Sequence, residues 1–266
     1  MLAEILEQNR LIKPLVHCIT NYVTANDCAN LVLASGASPI MADDPEEAQE
    51  ITRMCAGLVL NMGTPNPRKL QSMLLAGKEA NRLGHPVILD PVGVGGSKLR
   101  MEAAKNLLQE IRFSVIRGNA SEILTLVNGT AALRGVDANE ITDDPLLIAK
   151  ELANIHNCVV VLTGEKDIVT DGTVTYRVHN GHPMMRFVTG AGCQLTSLIG
   201  AYTAANPNQP LNAALASVCA MGYCGELAFQ RLTAQDGNTT YRNYIIDALF
   251  RLCGEALEKG ANYEIL

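Results

Sequence analysis

The stretch VTGAGCQLTSLIGA, Val188–Ala201, decides how the chain is interpreted, because two glycines in it directly precede an apolar helical run. Gly190 and Gly192 permit backbone dihedrals closed to other residues and let a ligand approach the main chain closely. The helix that follows directs unpaired N–H groups, and the positive end of its dipole, at the turn. The sequence therefore predicts an anion hole formed by Gly190, Ala191, Gly192 and Cys193, with a thiol at its edge. The alternative is a glycine-rich strand-to-helix turn that holds a small buried cysteine.

Upstream of this turn, short apolar runs alternate with longer runs of helical spacing. The predicted strands are Leu15–Ile19, Gly57–Asn61, Pro86–Asp90, Phe113–Arg117 and Cys158–Thr163, and the predicted helices are Pro45–Cys55, Pro67–Leu83, Leu99–Glu110, Ser121–Val127 and Pro145–Ile155. This alternation predicts an α/β fold with a mostly parallel central sheet covered by helices on both faces.

Local signals refine these boundaries. Asp44 followed by Pro45 is typical of a helix start, and Asn119 with Glu122 resembles a capping box. Downstream, Asp167–Val178 alternates around Asp171-Gly172, which predicts a hairpin. The predicted C-terminal helices are Gln194–Ala204, Leu211–Leu232 and Thr240–Glu258. No repeat or linker interrupts the chain, so we expect one domain over residues 1–266.

Composition excludes several classes of function. Of the 266 residues 48% are hydrophobic and only 4% aromatic, which favours helices packed on a sheet. A net charge of −6 argues against nucleic acid as a partner, since binding a phosphate backbone needs a basic surface. The eight cysteines form no C-x-x-C pair, and several lie in apolar runs. The N-terminus lacks the pattern of a signal peptide and no apolar run approaches membrane-spanning length, so we expect a cytoplasmic protein with no membrane partner.

The residues that follow the predicted strands are candidates for a ligand site, because ligands of open parallel sheets bind beyond the carboxyl ends of the strands. Asn21, Met41, Arg117 and Thr163 lie at such ends. Asp90 does so too, after the apolar Val87-Ile88-Leu89.

Asp90 at a strand tip suits Mg²⁺ ligation, directly or through water, although it could instead cap the loop Pro91–Ser97. Glu122 is either a second carboxylate for the metal or only part of the capping box. The charge of Arg117 needs an anionic partner, which is a phosphate, Glu122 or Asp90.

Six segments, taken in order, resemble the hydroxyethylthiazole kinase family of thiamine salvage. They are PLVHCITNYVTAND (Pro14–Asp27), ASGASPIMADDPEE (Ala34–Glu47), VILDPVGVGG (Val87–Gly96), IRGNASEI (Ile116–Ile123), LTGEKD (Leu162–Asp167) and VTGAGC (Val188–Cys193). The resemblance implies a ribokinase-like, three-layer α/β/α fold. It also implies Mg²⁺-dependent transfer of the γ-phosphoryl group of ATP to the hydroxyl of 4-methyl-5-(2-hydroxyethyl)thiazole.

The resemblance also implies roles for individual residues. Met41 contacts the thiazole through its main chain with Asn21 nearby, Gly190 lines the substrate end of the anion hole, Arg117 and Thr163 bind ATP, and Asp90 and Glu122 serve the metal. Relatives in the wider superfamily carry aspartate as the base at the position of Cys193, whereas thiazole kinases have cysteine there. Family members are trimers with sites between subunits. If Met41 and Asn21 are one subunit's contribution and the glycine turn its neighbour's, neither subunit alone holds a whole site.

The chemistry of Cys193 separates this hypothesis from its rivals. An ordinary thiol pKa of about 8.5 makes cysteine a weak base, so we expect Cys193 mainly to orient the alcohol. One alternative is a kinase for another heterocyclic alcohol, such as hydroxymethylpyrimidine. Another is an acyl transferase or hydrolase with Cys193 as nucleophile, which needs a histidine held against the thiol. A ligand-binding protein without turnover is the third.

Overall fold

The computed structural model describes residues 1–134 and 144–266. Its strands are β1 Leu15–Ile19, β2 Ser38–Ile40, β3 Gly57–Asn61, β4 Val87–Asp90, β5 Val115–Asn119, β6 Val159–Thr163, β7 Asp167–Thr170, β8 Thr175–Val178 and β9 Tyr263–Ile265. Its helices are α1 Leu2–Ile12, α2 Ala25–Ser35, α3 Ala48–Met54, α4 Pro67–Leu83, α5 Lys98–Glu110, α6 Ala120–Arg134, α7 Pro145–His156, α8 Ala191–Ala205, α9 Pro210–Gln230, α10 Asn238–Arg251 and α11 Gly254–Gly260.

The strands form one sheet in the order β2-β1-β3-β4-β5-β6-β7-β8-β9. The pairs from β2 to β6 are parallel, and β7, β8 and β9 add antiparallel pairs at one edge. The predicted hairpin is present as β7 and β8. The carboxyl ends of β1, β3, β4, β5 and β6 consequently lie along one edge of the sheet, as the prediction of a mostly parallel sheet requires.

Helices cover both faces of the sheet, and strand alternation divides the apolar side chains between two cores. In β3, Leu58 and Leu60 belong to the core beneath α3 to α7, whereas Val59 belongs to the core beneath α1, α2 and α8 to α11. Successive strand residues point to opposite faces, so a strand of continuous apolar residues serves both layers. The result is the predicted three-layer α/β/α arrangement.

Three predicted helices have wrong boundaries. The helix predicted as Ser121–Val127 extends over Ala120–Arg134. The helix predicted from Pro45 begins at Ala48, because the Asp44 carboxylate accepts a hydrogen bond from the Glu46 amide and holds a turn before α3. The run predicted as Thr240–Glu258 is two helices, since Leu252 takes an extended conformation and α11 begins anew at Gly254.

Helix α9 also corrects the expectation that no apolar run reaches membrane-spanning length. Its 21 residues are long and apolar enough by length and composition, and 72% of the apolar window is buried inside the protein. Packing in the core accounts for its composition, as for other wholly apolar helices of globular proteins.

Candidate active site

The N-terminus of α8 is shaped by two close approaches. Gly190 caps the helix with φ +77°, and a Cβ there would lie 2.1 Å from Cγ2 of Thr24. A Cβ on Gly192 would lie 2.3 Å from Nη1 of Arg117, so the guanidinium rests directly on the first turn. Position 190 therefore requires glycine, whereas a side chain at position 192 would displace the guanidinium of Arg117. The positive end of the helix dipole and the guanidinium face the same space, which favours an anion there.

The amides of this turn are not equivalent. The Ala191 N–H donates to the Val188 carbonyl at 3.2 Å, within the turn itself. For Gly192 and Cys193, the structure gives no acceptor among the described residues, as expected for the start of an α-helix. Of the predicted four-residue anion hole, Ala191 is the residue whose N–H has an acceptor within the described chain, and the N–H groups of Gly190, Gly192 and Cys193 remain for a ligand.

Arg117 joins the helix to the sheet. It lies in β5, its side chain is 13% exposed, and its Nη2 donates to Thr163 Oγ1 of β6 at 2.5 Å. Its Nη1 lies 3.7 Å from Asp90 Oδ1, which is too long for a hydrogen bond. Of the three anionic partners open to Arg117 in the sequence, the structure places Asp90 nearest. The long distance leaves the guanidinium incompletely neutralised.

Asp90 is wholly buried at the end of β4. Its Oδ2 accepts hydrogen bonds from Asn61 Nδ2 and from Thr196 Oγ1, both at 2.8 Å, and its Oδ1 has no hydrogen-bond donor. Burial raises the pKa of Asp90 to about 6, against the opposing effect of Arg117. Its hydrogen-bond donors come from β3 and α8, so Asp90 does not cap the loop Pro91–Ser97.

Glu122 is the residue that caps this loop. Its Oε1 accepts from the Gly93 amide at 2.8 Å and its Oε2 from the Asn119 amide at 2.9 Å. Asn119 Oδ1 accepts in return from the Glu122 amide at 2.9 Å, so the predicted capping box is present. Glu122 also raises the pKa of Asp90, which places the two carboxylates within electrostatic reach.

The pair Asp90 and Glu122 fits a hydrated Mg²⁺ better than a cage built by the protein alone. Among the described residues, no group of three His, Cys, Asp or Glu could hold a metal. Mg²⁺ in kinase sites keeps several waters and binds through one or two carboxylates plus substrate phosphates. The oxygen of Asp90 that lacks a donor is the atom that suits this arrangement.

Cys193 lies against Asn21. The Asn21 Nδ2 donates to Cys193 Sγ at 3.3 Å, although 172 residues separate the two in the sequence. Burial, followed by the charge of Asp90, raises the pKa of the Cys193 thiol. The helix N-terminus therefore does not make this cysteine a thiolate at neutral pH. Asn21 and the glycine turn meet within one chain, so the expected division of these two between subunits is wrong.

No histidine is hydrogen-bonded to Cys193 among residues 1–134 and 144–266. His17 is fully buried and bonded instead to Thr52 Oγ1 at 3.0 Å and to the Ala42 carbonyl at 2.8 Å, and burial lowers its pKa. It is therefore a core histidine. The geometry lacks the base that a cysteine nucleophile needs.

A cavity of about 900 Å³ opens beside Arg117. One wall is formed by the ends of β5 and β6 and by the start of α8, including Arg117, Asn119, Thr163, Gly190 and Gly192. The opposite wall comes from the segment around His182 and from α9. Its volume lies within the range typical of small-molecule and cofactor sites. Met41 does not line the cavity; it follows the edge strand β2 and is 38% exposed.

Three residues of this region were missed in the sequence. Asn61 and Thr196 hold Asp90, and Asp167 lines the cavity with its Oδ1 accepting from the Gly164 amide at 2.9 Å. Burial raises the pKa of Asp167 to about 6. The available signal was a polar residue at the end of an apolar strand, which Asn61 of GLVLN provides. His182 is half-buried and stacks on Phe229 with ring centroids 3.5 Å apart.

The chain is similar to known kinases over nearly its whole length. The sequence model of the hydroxyethylthiazole kinase family matches residues 6–255. A hydroxyethylthiazole kinase from Clostridium acetobutylicum is 54% identical over 271 residues, which cover 99% of this chain and 99% of that protein. The solved structure of hydroxyethylthiazole kinase from Pyrococcus horikoshii OT3 is 33% identical, with a TM-score of 0.90 and coverage of 100% and 98%.

More distant structures share the fold alone. A ribokinase-like superfamily protein from Enterococcus faecalis V583 is 13% identical, with a TM-score of 0.63 and coverage of 95% of each chain. With the closer structure from Pyrococcus horikoshii, this likeness confirms the predicted ribokinase-like α/β fold.

Proposed function

The chain belongs to the hydroxyethylthiazole kinase family and phosphorylates the hydroxyl of hydroxyethylthiazole with ATP in thiamine salvage, and we propose how its own residues perform this transfer. The observation that carries the proposal is the guanidinium of Arg117 on the first turn of α8. Two sources of positive charge face one space there, and they are partly balanced by Asp90, at 3.7 Å from Arg117, and by Asp167, whose carboxylate also interacts with that guanidinium. The phosphoryl group carries negative charge in the transition state of its transfer, and negative charge is what this space favours.

The transferring group rests on the N–H groups of Gly192 and Cys193, with Arg117 beside it. The transition state of phosphoryl transfer is loose, so catalysis depends on positioning and charge stabilisation more than on a strong base. Donors held in place before the reaction need no reorganisation when charge develops. The close approach at Gly190 and Gly192 is what keeps these donors in position.

The alcohol is oriented by Cys193, with Asn21 as its neighbour and Gly190 at the substrate end of the turn. A buried thiol with a raised pKa remains protonated at neutral pH, so it acts as a hydrogen-bond partner with only a partial role as base. Met41 supplies its main chain to the thiazole ring.

ATP occupies the cavity beside β5 and β6, with Arg117 and Thr163 at its phosphate end. Asp90 and Glu122 would hold Mg²⁺ through water, and the ion would supply positive charge that neutralises the polyphosphate. The oxygen of Asp90 without a donor and the nearness of Glu122 support this assignment.

The protein is a cytoplasmic homotrimer of single-domain chains whose sites lie at the interfaces between subunits. Tyr22 and Val23 are each 65% exposed, and they directly follow Asn21 at the same end of the sheet as Met41. Exposed apolar residues of this size mark interfaces when they cluster. A neighbouring chain that covers them would close the open side of the alcohol site.

The test is ADP release measured with a coupled enzyme assay, with and without Mg²⁺ and hydroxyethylthiazole. We expect turnover only when both are present, and a lower kcat/KM with hydroxymethylpyrimidine as acceptor. Mass spectrometry of the intact protein during turnover distinguishes the kinase from the alternative in which Cys193 is a nucleophile, because only the latter forms a covalent substrate adduct. A covalent substrate adduct on Cys193, without ATP-dependent turnover, would overturn the proposal.

A further inference from the structure

Asn61 connects three parts of the site that no single element contains. It is the last residue of β3, is 1% exposed, and donates from Nδ2 to Asp90 Oδ2 at 2.8 Å. Its Oδ1 accepts from Asn21 Nδ2 at 3.0 Å and from the Gly63 amide at 2.9 Å. One buried amide therefore makes three hydrogen bonds, which uses most of its capacity.

The backbone determines which way this amide points. The Gly63 N–H is only a donor, so the oxygen of Asn61 must face it. The nitrogen of Asn61 then faces Asp90, where the ionised carboxylate is only an acceptor.

A second backbone amide determines the orientation of Asn21. The Thr24 N–H donates to Asn21 Oδ1 at 3.1 Å. The nitrogen of Asn21 must therefore point the other way, where it donates to Asn61 Oδ1 and to Cys193 Sγ. The sulfur thus accepts a hydrogen bond of fixed direction from Asn21, and hydrogen bonds from Asn61 and Thr24 as well as from Asn21 lower the pKa of the thiol against the effect of burial.

We propose that Asn61 is a positioning residue for phosphoryl transfer, which holds the Asn21 amide with its N–H groups toward Cys193 Sγ. Asn61 itself touches neither the alcohol nor the phosphoryl group. It acts through Asn21, and the inference rests on the proposed role of Cys193 toward the alcohol.

Thr196 provides the matched control. Asn61 and Thr196 donate to the same oxygen of Asp90 at the same distance, 2.8 Å, but only Asn61 is bonded to Asn21. If Asn61 serves merely to hold Asp90, Thr196→Val and Asn61→Ala affect Cys193 alike. If Asn61 acts on Cys193, through Asn21 or directly, only Asn61→Ala does, and the double variant Asn21→Ala/Asn61→Ala separates these two routes.

The experiment measures alkylation of Cys193 by iodoacetamide without substrates, followed by peptide mass spectrometry. Exposed Cys253 in the same chain reports the reagent's activity. We expect Asn61→Ala and Asn21→Ala each to slow alkylation of Cys193 about five- to tenfold, because a hydrogen bond to a charged sulfur favours the reactive thiolate. We expect Thr196→Val to change the rate of Cys193 alkylation less than about twofold, which is less than the loss of one hydrogen bond to the sulfur would cause. An equal or faster rate in Asn61→Ala, or equal slowing in Thr196→Val, overturns the proposal.

A double variant gives a second readout. If Asn61 acts through Asn21, Cys193 is alkylated as fast in Asn21→Ala/Asn61→Ala as in Asn21→Ala alone. Multiplied losses overturn the proposal. If Asn61→Ala does not fold, Asn61→Ser, which keeps a hydroxyl for the Gly63 amide, replaces it in both measurements. The alkylation assay needs no turnover, so inactivity of the wild type toward hydroxyethylthiazole would refute the proposed function separately.

Discussion

Gly192→Ala tests whether Arg117 must rest on the start of α8 for phosphoryl transfer. The added Cβ would lie 2.3 Å from Nη1 and 2.7 Å from Cζ of Arg117. Nonbonded heavy atoms prefer about 3.5 Å, so the guanidinium has to move by about 1 Å. That movement separates it from Thr163 Oγ1, which it now contacts at 2.5 Å.

The effect on catalysis follows from that displacement. A misplacement of about 1 Å can cost about 10²-fold in rate, and loss of one charge-stabilising donor costs about 10²–10³-fold, or about 2.7–4 kcal/mol. We adopt the smaller estimate, that for a misplacement, and expect kcat/KM to fall about 10²-fold. The free energy of unfolding should change little, because the guanidinium is the flexible end of its side chain and alanine favours a helix by up to about 1 kcal/mol.

The assay is coupled ADP release for kcat and KM, with melting temperature measured in parallel. Gly237→Ala is the control, since a Cβ there meets no atom within 4 Å. Two results refute the reasoning. One is wild-type kcat/KM in Gly192→Ala. The other is a larger loss in Gly192→Ala/Arg117→Ala than in Arg117→Ala alone, since the alanine is argued to act only through that guanidinium.

Four further predictions concern other parts of the molecule. Asp90→Asn should raise the Mg²⁺ concentration needed for half-maximal activity and leave the melting temperature nearly unchanged; a large stability loss with ordinary Mg²⁺ dependence contradicts its role toward the metal. Cys193→Ala should bind ATP and thiazole nearly normally in calorimetry and lose about 10²-fold or less in kcat, the range of partial acid–base assistance; a loss far beyond that would make the thiol essential. If sites are shared between subunits, mixing the Met41→Asp and Asp90→Asn variants should restore activity, and diluting the wild type should lower its specific activity. A monomer that is active and is identified as such by light scattering would contradict a shared site. Two arginines lower the pKa of Glu79 from 4.5 to about 2, so its contribution to the free energy of unfolding is present above pH 4.5 and is lost as the pH falls toward 2. In acid unfolding, Glu79→Gln should therefore lose less stability than the wild type between pH 4.5 and pH 2. A pH dependence of stability equal to that of the wild type would count against the ion pairs.

The interactions that the sequence predicted correctly are those between residues a few positions apart. The capping box of Asn119 and Glu122 spans three residues, and the hairpin at Asp171-Gly172 joins neighbouring strands. The glycine requirement at Gly190 follows from the turn itself, through its positive φ. The start predicted at Pro45 was wrong although its signal was equally local, because the Asp44 carboxylate accepts from the Glu46 amide and forms a turn where the helix was expected to begin.

The sequence by itself determined the alternation of strands and helices, the glycine turn before α8 and the strand ends that carry Asp90, Arg117 and Thr163, because periodicity and turn chemistry are encoded over short spans. Only the tertiary structure decided that Asn21 lies against Cys193 and that Thr196 donates to Asp90, across separations of 172 and 106 residues. Such contacts depend on which strands are neighbours in the sheet and on how α8 packs across their ends. The depth of burial, which raises the pKa of both Asp90 and Cys193, follows from that packing as well.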